Sequence, residues 1–252
     1  MTPKQVDIII PVLNRPEHTR QTLESLFAHT DRSLYNLYII DDGSDLETSD
    51  LIHDLCAQAD VDAYIGRNEV PVGPGAARNL ICQFITERSA RSEFVYFSDN
   101  DVYFKEGWLE RLLVIYKEYA DDNKIKLLGG GCHPYQQNNS AILTDISIVT
   151  NDGPPHNEPG NIGIKNAVSG YSHLLTWKSW DEFGPFDEGS RGLEEKTGRS
   201  EDWALCQKII QAGYFVGSIE PEVVIATGKT NTYGKDAVGQ ETFKDEEGII
   251  IK

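Results

Sequence analysis

Val6-Asp7-Ile8-Ile9-Ile10, an apolar and mostly β-branched run near the start of the chain, decides how the fold is interpreted. Pro11 ends this run, and residues 18–28 then carry Leu and Phe at helical spacing. The same order returns when the apolar run at 37–40 is followed by a helical pattern over 46–57. A strand and a helix that repeat in this order predict an α/β fold.

Two further strand and helix units extend this pattern. An apolar run at 63–66 leads through a Pro/Gly loop to a helical pattern over 76–87, and a run at 94–97 precedes a helical pattern over 108–119. Short apolar runs that alternate with helices predict a mostly parallel sheet, buried on both faces and wound in right-handed crossovers. The first half of the chain is therefore predicted to be a nucleotide-binding type of α/β fold.

The pattern loosens beyond Gly129-Gly130-Gly131. Residues 142–149 and 168–176 alternate as antiparallel strands do, and we expect the Pro/Gly/Asn-rich segment between them, 151–163, to be a loop or flap. The remaining predicted elements are a helix over 200–212 and strands near 214–217 and 222–226. The tail after Thr227 has little periodicity, and we expect it to be mobile without ligand.

The charge balance limits the classes of partner. The 252 residues include 23 basic and 40 acidic ones, which gives a formal net charge of −17 at pH 7. Such a chain repels nucleic acid and anionic membrane surfaces, so we expect no nucleic-acid partner. A ligand that carries a diphosphate must be met by a local cation, either a metal ion or a few directed Arg and Lys side chains.

The cysteines and the hydropathy pattern indicate the cellular compartment of the protein. The four cysteines lie far apart and form no CxxC pair, which favours free thiols in a reducing compartment. No run of about 18 apolar residues is present, so no membrane span is predicted. We therefore expect the protein to be cytoplasmic.

Polar clusters follow three of the predicted strands. They are Pro11 to Arg15, Asp41-Asp42 and Asp99-Asn100-Asp101. Because the carboxyl ends of parallel strands meet at one edge of the sheet, where ligands bind in open α/β folds, we expect the three clusters to lie together. They are the first candidates for a functional site.

Asp99-Asn100-Asp101 offers two carboxylates separated by one residue at a strand end. Hard oxygen ligands in this order can share a Mn²⁺ or Mg²⁺ ion that is already bound to phosphates. Asp and Asn also end strands as ordinary turn residues. The tripeptide alone leaves both interpretations open.

The order of motifs resembles the GT-A fold glycosyltransferases, and in particular their large family two. The residues that carry the resemblance, between positions 6 and about 217, are Ile10-Pro11-Val12-Leu13-Asn14-Arg15, Leu23-Glu24-Ser25-Leu26, Ile39-Ile40-Asp41-Asp42-Gly43-Ser44, Gly73 to Asn79, Asp99-Asn100-Asp101, Phe186-Asp187-Glu188 and Ser200 to Leu205. The resemblance implies one GT-A domain over 1–252, with a smaller antiparallel part on the acceptor side. Residues 1–131 would form the nucleotide-sugar-binding half, 132–226 the acceptor and catalytic half, and 227–252 the tail.

The resemblance also implies roles on the donor side. Pro11, Asn14 and Arg15 would line the nucleoside pocket, and Asp41 would accept a hydrogen bond from the base. Arg78 would lie near the diphosphate. Asp99 and Asn100 would contact the nucleotide sugar, and Asp99 and Asp101 would also bind the metal ion. A plain turn before a helix, with Ser44 or Asp45 as its N-cap, is the simpler alternative for the Asp41 segment, and a surface ion pair is the alternative for Arg78.

On the acceptor side, the resemblance makes Asp202 the base that removes the acceptor proton, with Glu201 helping to hold the acceptor. Acids in the first turn of a helix are also favoured by the helix dipole, and Ser200 could be an N-cap. The family often has a metal-binding His after this helix, and residues 223–228 contain none. The third metal ligand is therefore left open.

Together these features predict a metal-dependent transferase. It would move a hexose or related sugar from a UDP- or GDP-sugar to a hydroxyl of a glycan acceptor, with inversion by direct displacement. A retaining transferase and a non-catalytic protein that binds a nucleotide sugar or glycan are the alternatives. A sugar-nucleotide pyrophosphorylase would have a long Gly-rich loop with a basic residue after the first strand, and Pro11-Val12-Leu13-Asn14 is not such a loop.

Overall fold

A computed structural model describes residues 4–88, 91–120, 124–131, 148–151, 159–188 and 201–228. The strands are β1 (Val6–Val12), β2 (Tyr35–Asp41), β3 (Ala63–Arg67), β4 (Phe94–Ser98), β5 (Val102–Phe104), β6 (Ile125–Gly129), β7 (Ile148–Asn151), β8 (Pro159–Lys165), β9 (Ser172–Thr176), β10 (Phe215–Glu220) and β11 (Val224–Ala226). The helices are α1 (Pro16–His29), α2 (Leu46–Gln58), α3 (Pro74–Glu87), α4 (Trp108–Ile115), α5 (Trp177–Phe183) and α6 (Glu201–Gln211). A π-helical turn, Tyr116–Ala120, extends α4.

The described strands form a central nine-stranded sheet with the order β3-β2-β1-β4-β9-β6-β10-β8-β7. Strands β3, β2, β1 and β4 are parallel, whereas β8 and β9 run against their neighbours. A separate antiparallel pair joins β5 and β11. The predicted α/β fold with a mostly parallel sheet and a smaller antiparallel part is confirmed.

Helices cover both faces of the sheet, which explains the uninterrupted apolar runs of the strands. Ile8 and Ile10 of β1 pack into the core under α1, α2 and α4, and Ile9 packs into the core under α3, α5 and α6. All three side chains are fully buried. Because neighbouring side chains of a strand point to opposite faces, a strand buried on both sides is apolar at nearly every position.

The predicted loop over 151–163 is wrong for its last residues, because Pro159–Lys165 forms β8 and pairs with β10 and β7. The Gly and Pro residues that marked this segment as a loop lie in a strand near the end of the sheet. Only the alternation of the buried Ile162 and Ile164 could have indicated it. The predictions for 142–147, Ser200 and the tail from 229 fall outside the described residues.

The topology brings the polar clusters to one edge. Val12 at the end of β1 is in register with Asp41 at the end of β2, and its carbonyl accepts from the Asp42 N–H at 2.7 Å. Ser98 at the end of β4 is in register with Ser172 at the start of β9. Residues before β9 therefore approach the same edge from the second half of the chain.

Candidate active site at the carboxyl ends of the strands

The turn after β1 is tied to the turn after β2. The Asn14 N–H donates to Ser44 Oγ at 2.9 Å, and Asn14 Oδ1 accepts from the Asp45 N–H at 2.9 Å. Asn14 (φ 53°) and Arg15 (φ 62°) are both left-handed, which is uncommon for residues other than glycine and occurs preferentially at functional sites. Asp45 also caps α2 by accepting from the Thr48 N–H, as one of the sequence alternatives predicted.

Asp41 lies behind an arginine. Its carboxylate, in a residue only 1% exposed, accepts from the Ser44 N–H at 2.8 Å and forms an ion pair with Arg67 at the end of β3. Arg67 also donates to the Ser44 carbonyl at 2.7 Å and keeps 43% of its side chain exposed. Arg67 therefore stands between Asp41 and solvent.

The neighbouring Asp42 has a structural environment. Its carboxylate accepts from the Asn68 side chain and the Gly73 N–H, both at 2.8 Å, and from the Val72 N–H at 2.9 Å. All of these donors belong to the loop between β3 and α3. Asp42 therefore fixes the path of this loop. Of the two neighbouring aspartates, Asp41 is the one that lies beside a charged group.

Pro11 and Asn100 are part of the framework of the edge. Pro11 is buried in β1, in register with Ile40. The Asn100 side chain is buried and donates to the Asn14 carbonyl at 3.1 Å and to Thr19 Oγ1 at 2.8 Å. Asn100 thus holds the strained turn after β1, and its predicted contact with a nucleotide sugar stays a prediction.

Asp99 and Asp101 each pair with an arginine. Asp101 Oδ2 lies 2.7 Å from Arg15 Nη1, with 16% of the Asp101 side chain exposed. Asp99 Oδ1 pairs with Arg78, and 37% of the Asp99 side chain is exposed. Burial raises the pKa of both carboxyls, the charge of Asp101 raises the pKa of Asp99 further, and Arg15 and Arg78 oppose the rise.

This donor set fits a hard divalent cation, because ionised carboxylates that burial and mutual repulsion destabilise are relieved by positive charge. Among the described residues, no group of three or more His, Cys, Asp or Glu side chains is arranged to hold a metal ion. The assignment of Asp99 and Asp101 as metal ligands stays a prediction.

Arg78 lies beneath the edge of the sheet and is fully buried. It pairs with Asp99, lies 3.3 Å from Glu201 Oε1, and donates to the carbonyls of Ser98 at 3.2 Å and Gly170 at 3.3 Å. Its guanidinium therefore joins an acid from the first half of the chain to an acid from the second. The predicted contact of Arg78 with a diphosphate stays a prediction, and its observed partners are the carboxylates themselves.

The two acids at the start of α6 have different environments. Asp202 Oδ2 accepts from the Gly170 N–H at 2.8 Å, and Oδ1 accepts from the Trp203 N–H at 2.7 Å, so backbone groups orient this carboxylate. Burial raises the pKa of Glu201 to about 7, and the charge of Asp202 adds to the rise while Arg78 opposes it. Asp202 also raises the pKa of Asp99, so the two acid pairs share one electrostatic environment.

The segment after β11 covers Asp101. The Asp101 carbonyl accepts from Thr227 N–H at 2.8 Å, from Thr227 Oγ1 at 2.9 Å and from Gly228 N–H at 3.2 Å. A Cβ atom on Gly228 would overlap Asp101 Oδ2. Arg67 was missed from the sequence, although it ends β3 and position at a strand end is the signal that identified the other clusters.

The sheet topology, with acidic side chains at the carboxyl ends of its strands, defines an α/β protein with the GT-A fold of glycosyltransferases. The chain belongs to glycosyl transferase family 2, whose model matches residues 7–164. The resemblance inferred from the motifs is thereby confirmed.

A relative with a named function matches most of the chain. The chain is 33% identical over 220 residues to the pre-mycofactocin glycosyltransferase of Mycobacterium tuberculosis, a match that covers 83% of this chain and 40% of the relative. The chain therefore spans less than half the length of this relative. In the part of the chain that the structure describes, no helix has the length and apolar character needed to cross a membrane.

Two solved structures share the fold at low sequence identity. A mannosyltransferase from Pyrobaculum calidifontis in complex with GDP-Man and Mn²⁺ aligns with a TM-score of 0.63 and 15% identity over 93% of this chain and 60% of that one. TarS 1-349 from S. aureus in complex with UDP-GlcNAc aligns with a TM-score of 0.59 and 15% identity over 96% and 63% of the two chains.

Proposed function

We propose that this chain is a metal-dependent glycosyltransferase that moves a hexose or related sugar from a UDP- or GDP-sugar to a hydroxyl of a glycan acceptor. The observation that carries the proposal is the arrangement around Arg78, where Asp99 of the first half meets Glu201 of the second. Family membership and the named relatives support the reaction class. The GDP-Man and UDP-GlcNAc complexes of the structural neighbours support the donor class.

The donor would bind to residues 1–131. The nucleoside would lie against the ends of β1 and β2, beside Asn14 and Arg15, with the buried Pro11 and Asp41 beneath it. The diphosphate would lie towards Asp99 and Asp101. Mn²⁺ or Mg²⁺ held by these two carboxylates would offset negative charge on the departing nucleoside diphosphate. A chain with a net charge of −17 needs such a local cation, and the Mn²⁺ in the mannosyltransferase neighbour supports it.

The acceptor would bind to residues 132–226. Asp202, oriented by the N–H groups of Gly170 and Trp203, would take the proton of the acceptor hydroxyl as general base. The acceptor oxygen then forms a bond to the anomeric carbon from the face opposite the leaving group. The bond from that carbon to the diphosphate oxygen breaks, the configuration inverts and the nucleoside diphosphate leaves. Glu201, paired with Arg78, would hold the acceptor.

We also propose that the protein is located in the cytoplasm. Cys56 and Cys82 are free thiols, and both are buried. Burial raises the pKa of the Cys56 thiol to about 11, which makes it unreactive at neutral pH. These free thiols support a cytoplasmic location. We also propose that residues 1–252 form one domain.

A nucleotide-release assay tests the function. The intact chain would be incubated with UDP-glucose, UDP-GlcNAc or GDP-mannose, with Mn²⁺ or with EDTA, and the freed nucleoside diphosphate would be measured. We expect release from at least one donor with Mn²⁺, faster with a glycan acceptor and abolished by EDTA. Tight donor binding without release or transfer would replace the enzyme with a binding protein. Retention in the anomeric coupling of the product would overturn the inverting mechanism.

A further inference from the structure

His173 of β9 places a polar ring in an otherwise apolar layer. It is fully buried and in register with Phe97 of β4, on the face of the sheet that α3, α5 and α6 cover. Its Nε2 lies 2.8 Å from the Val168 carbonyl oxygen, and its Nδ1 has no hydrogen-bond partner within the described ranges. A buried polar atom without a partner costs stability, which points to a role for this ring beyond packing.

The contact with Val168 fixes the position of the proton on the ring. A carbonyl oxygen only accepts, so Nε2 carries the hydrogen and donates it to Val168. Burial lowers the pKa of His173, whereas the charge of Asp202 and the hydrogen bond to Val168 oppose this shift. A ring whose pKa lies below its usual value is neutral at pH 7, and Nδ1 then carries no proton. His173 therefore serves Val168 as a hydrogen-bond donor.

The segment that joins β8 to β9, residues 166–171, connects His173 to the start of α6. The Val168 carbonyl in this segment is the group that accepts from the His173 ring. Two residues further on, the Gly170 N–H donates to Asp202 Oδ2 at 2.8 Å. The segment is therefore bound to β9 through Val168 and to the carboxylate of the proposed base through Gly170.

The same segment packs closely against α6. A Cβ atom on Gly170 would lie 3.1 Å from Asp202 Cβ, so the backbone at Gly170 passes directly beside the aspartate. The Gly170 carbonyl accepts from the buried Arg78 at 3.3 Å, and the Val168 N–H donates to Cys206 Sγ of α6 at 3.4 Å. A shift of this segment would therefore change the direction in which the Asp202 carboxylate is held.

We propose that His173 is a positioning residue for the base: by holding the Val168 carbonyl, it keeps the Gly170 N–H directed at Asp202. This inference rests on the proposed function. A misplacement of a catalytic group by about 1 Å can lower a rate about 10²-fold, so a hydrogen bond that holds its support affects turnover. In this role the ring needs a donor at Nε2 and does not need to change its protonation.

Two substitutions in the intact chain separate the donor group from the rest of the ring. His173→Gln keeps an N–H group that can reach Val168, whereas His173→Leu fills a similar volume without a donor. With the most active sugar nucleotide and a glycan acceptor, we expect kcat for transfer to fall about 10- to 100-fold in His173→Leu and about threefold or less in His173→Gln. KM for the sugar nucleotide should change by about twofold or less in both variants, because the proposed donor site lies in residues 1–131.

The matched control is Thr30→Val, which removes the acceptor of the buried Trp108 Nε1–H on the opposite face of the sheet and should leave kcat unchanged. An equal fall of kcat in this control or in His173→Gln would show that His173 only stabilises the core, and it would overturn the proposal. An unchanged kcat in His173→Leu would overturn it too. If His173→Leu does not fold, His173→Asn takes its place, because its shorter amide does not reach Val168.

Hydrogen exchange of the Gly170 amide, followed by NMR, tests the same link without catalysis. We expect this amide to exchange at least about tenfold faster in His173→Leu than in the wild type, and at the wild-type rate in His173→Gln. Equal exchange rates in all three proteins would overturn the role of His173. If the wild type transfers no sugar from any donor, the proposed function fails, and the exchange of Gly170 still decides whether His173 holds the segment beside Asp202.

Discussion

The two edges of the sheet treat buried carboxylates in opposite ways. At the amino end, Asp7 is fully buried and each of its oxygens accepts two hydrogen bonds, from Asn36 Nδ2 (2.8 Å) and Ser92 Oγ (2.9 Å), and from Ser92 N–H (2.9 Å) and Trp177 Nε1 (2.8 Å). At the carboxyl end, Asp99 and Glu201 crowd around Arg78. Neutral hydrogen-bond donors satisfy the carboxylate at the amino end, whereas arginines compensate the negative charge of the carboxylates at the carboxyl end only in part.

This difference separates stability from function. A carboxylate saturated by neutral donors joins segments distant in sequence and has nothing left to offer a ligand. Carboxyls that raise one another's pKa hold unfavourable energy in the native state, which a bound cation or proton releases. The comparison therefore predicts that matched changes at the two edges affect different quantities.

The largest expected effect is on turnover by Asp202→Asn. The amide keeps an oxygen that can accept from Gly170 but cannot take a proton from the acceptor. We expect kcat for transfer to fall about 10²- to 10⁴-fold. The free energy of unfolding should fall by only about 1 kcal/mol, because the amide NH₂ then faces the part-buried Trp203 N–H. Steady-state kinetics and urea unfolding measure the two quantities. Undiminished kcat would remove Asp202 from the role of base.

Asp7→Asn is the matched change at the other edge. The amide places an N–H₂ group against donors of Ser92 or Trp177, so buried donors lose their acceptor. We expect the free energy of unfolding to fall by roughly 2–4 kcal/mol, with kcat of the folded enzyme unchanged. A loss of kcat without a loss of stability would contradict the separation of the two edges.

Gly228→Ala tests how closely the segment after β11 fits Asp101. The added methyl would overlap Asp101 Oδ2 and lie 2.9 Å from Arg15 Nη2, so the carboxylate has to move. We expect the concentration of Mn²⁺ needed for half-maximal activity to rise about tenfold. Gly163→Ala, whose methyl meets the flexible end of Lys165, is the control. Equal Mn²⁺ requirements in both variants would show that Gly228 does not position Asp101.

The smallest expected effect is a pH dependence of stability from Glu201. The pKa of this carboxyl is raised from 4.5 to about 7, so between these values the native chain binds a proton that the unfolded chain releases. The free energy of unfolding should therefore fall as pH rises through this window, on the order of 1 kcal/mol from Glu201. Urea unfolding at several pH values should give a shallower fall for Glu201→Gln. Identical slopes would contradict the raised pKa.

Most of the fold was predictable because strand periodicity is a local property of the sequence. The runs that became β1 and β4 are buried at every position and apolar at nearly every one, since both faces of these strands are covered. By contrast, β8 was taken for a loop because its Gly and Pro residues hide the alternation of Ile162 and Ile164. Its pairing with β10 depends on residues about 55 positions away, as the register of Gly163 with Ser218 illustrates.

The candidate site was predictable to the level of residue clusters but not of partners. Position after a strand identified Asp41, Asp99 and Asp101, because that location follows from topology alone. Side-chain packing between segments distant in sequence decides that Arg67 covers Asp41 and that Arg78 is fully buried. Such packing cannot be read from the local sequence. The metal ligands, the base and the donor contacts stay predictions.

A crystal structure with Mn²⁺ and the tightest-binding nucleoside diphosphate tests the central claim most directly. We predict an anomalous manganese peak beside Asp99 and Asp101, with the diphosphate next to it and the Asp202 carboxylate on the same side of the sheet edge. A nucleotide bound away from this edge of the sheet, or manganese held by other residues, would contradict the proposed site.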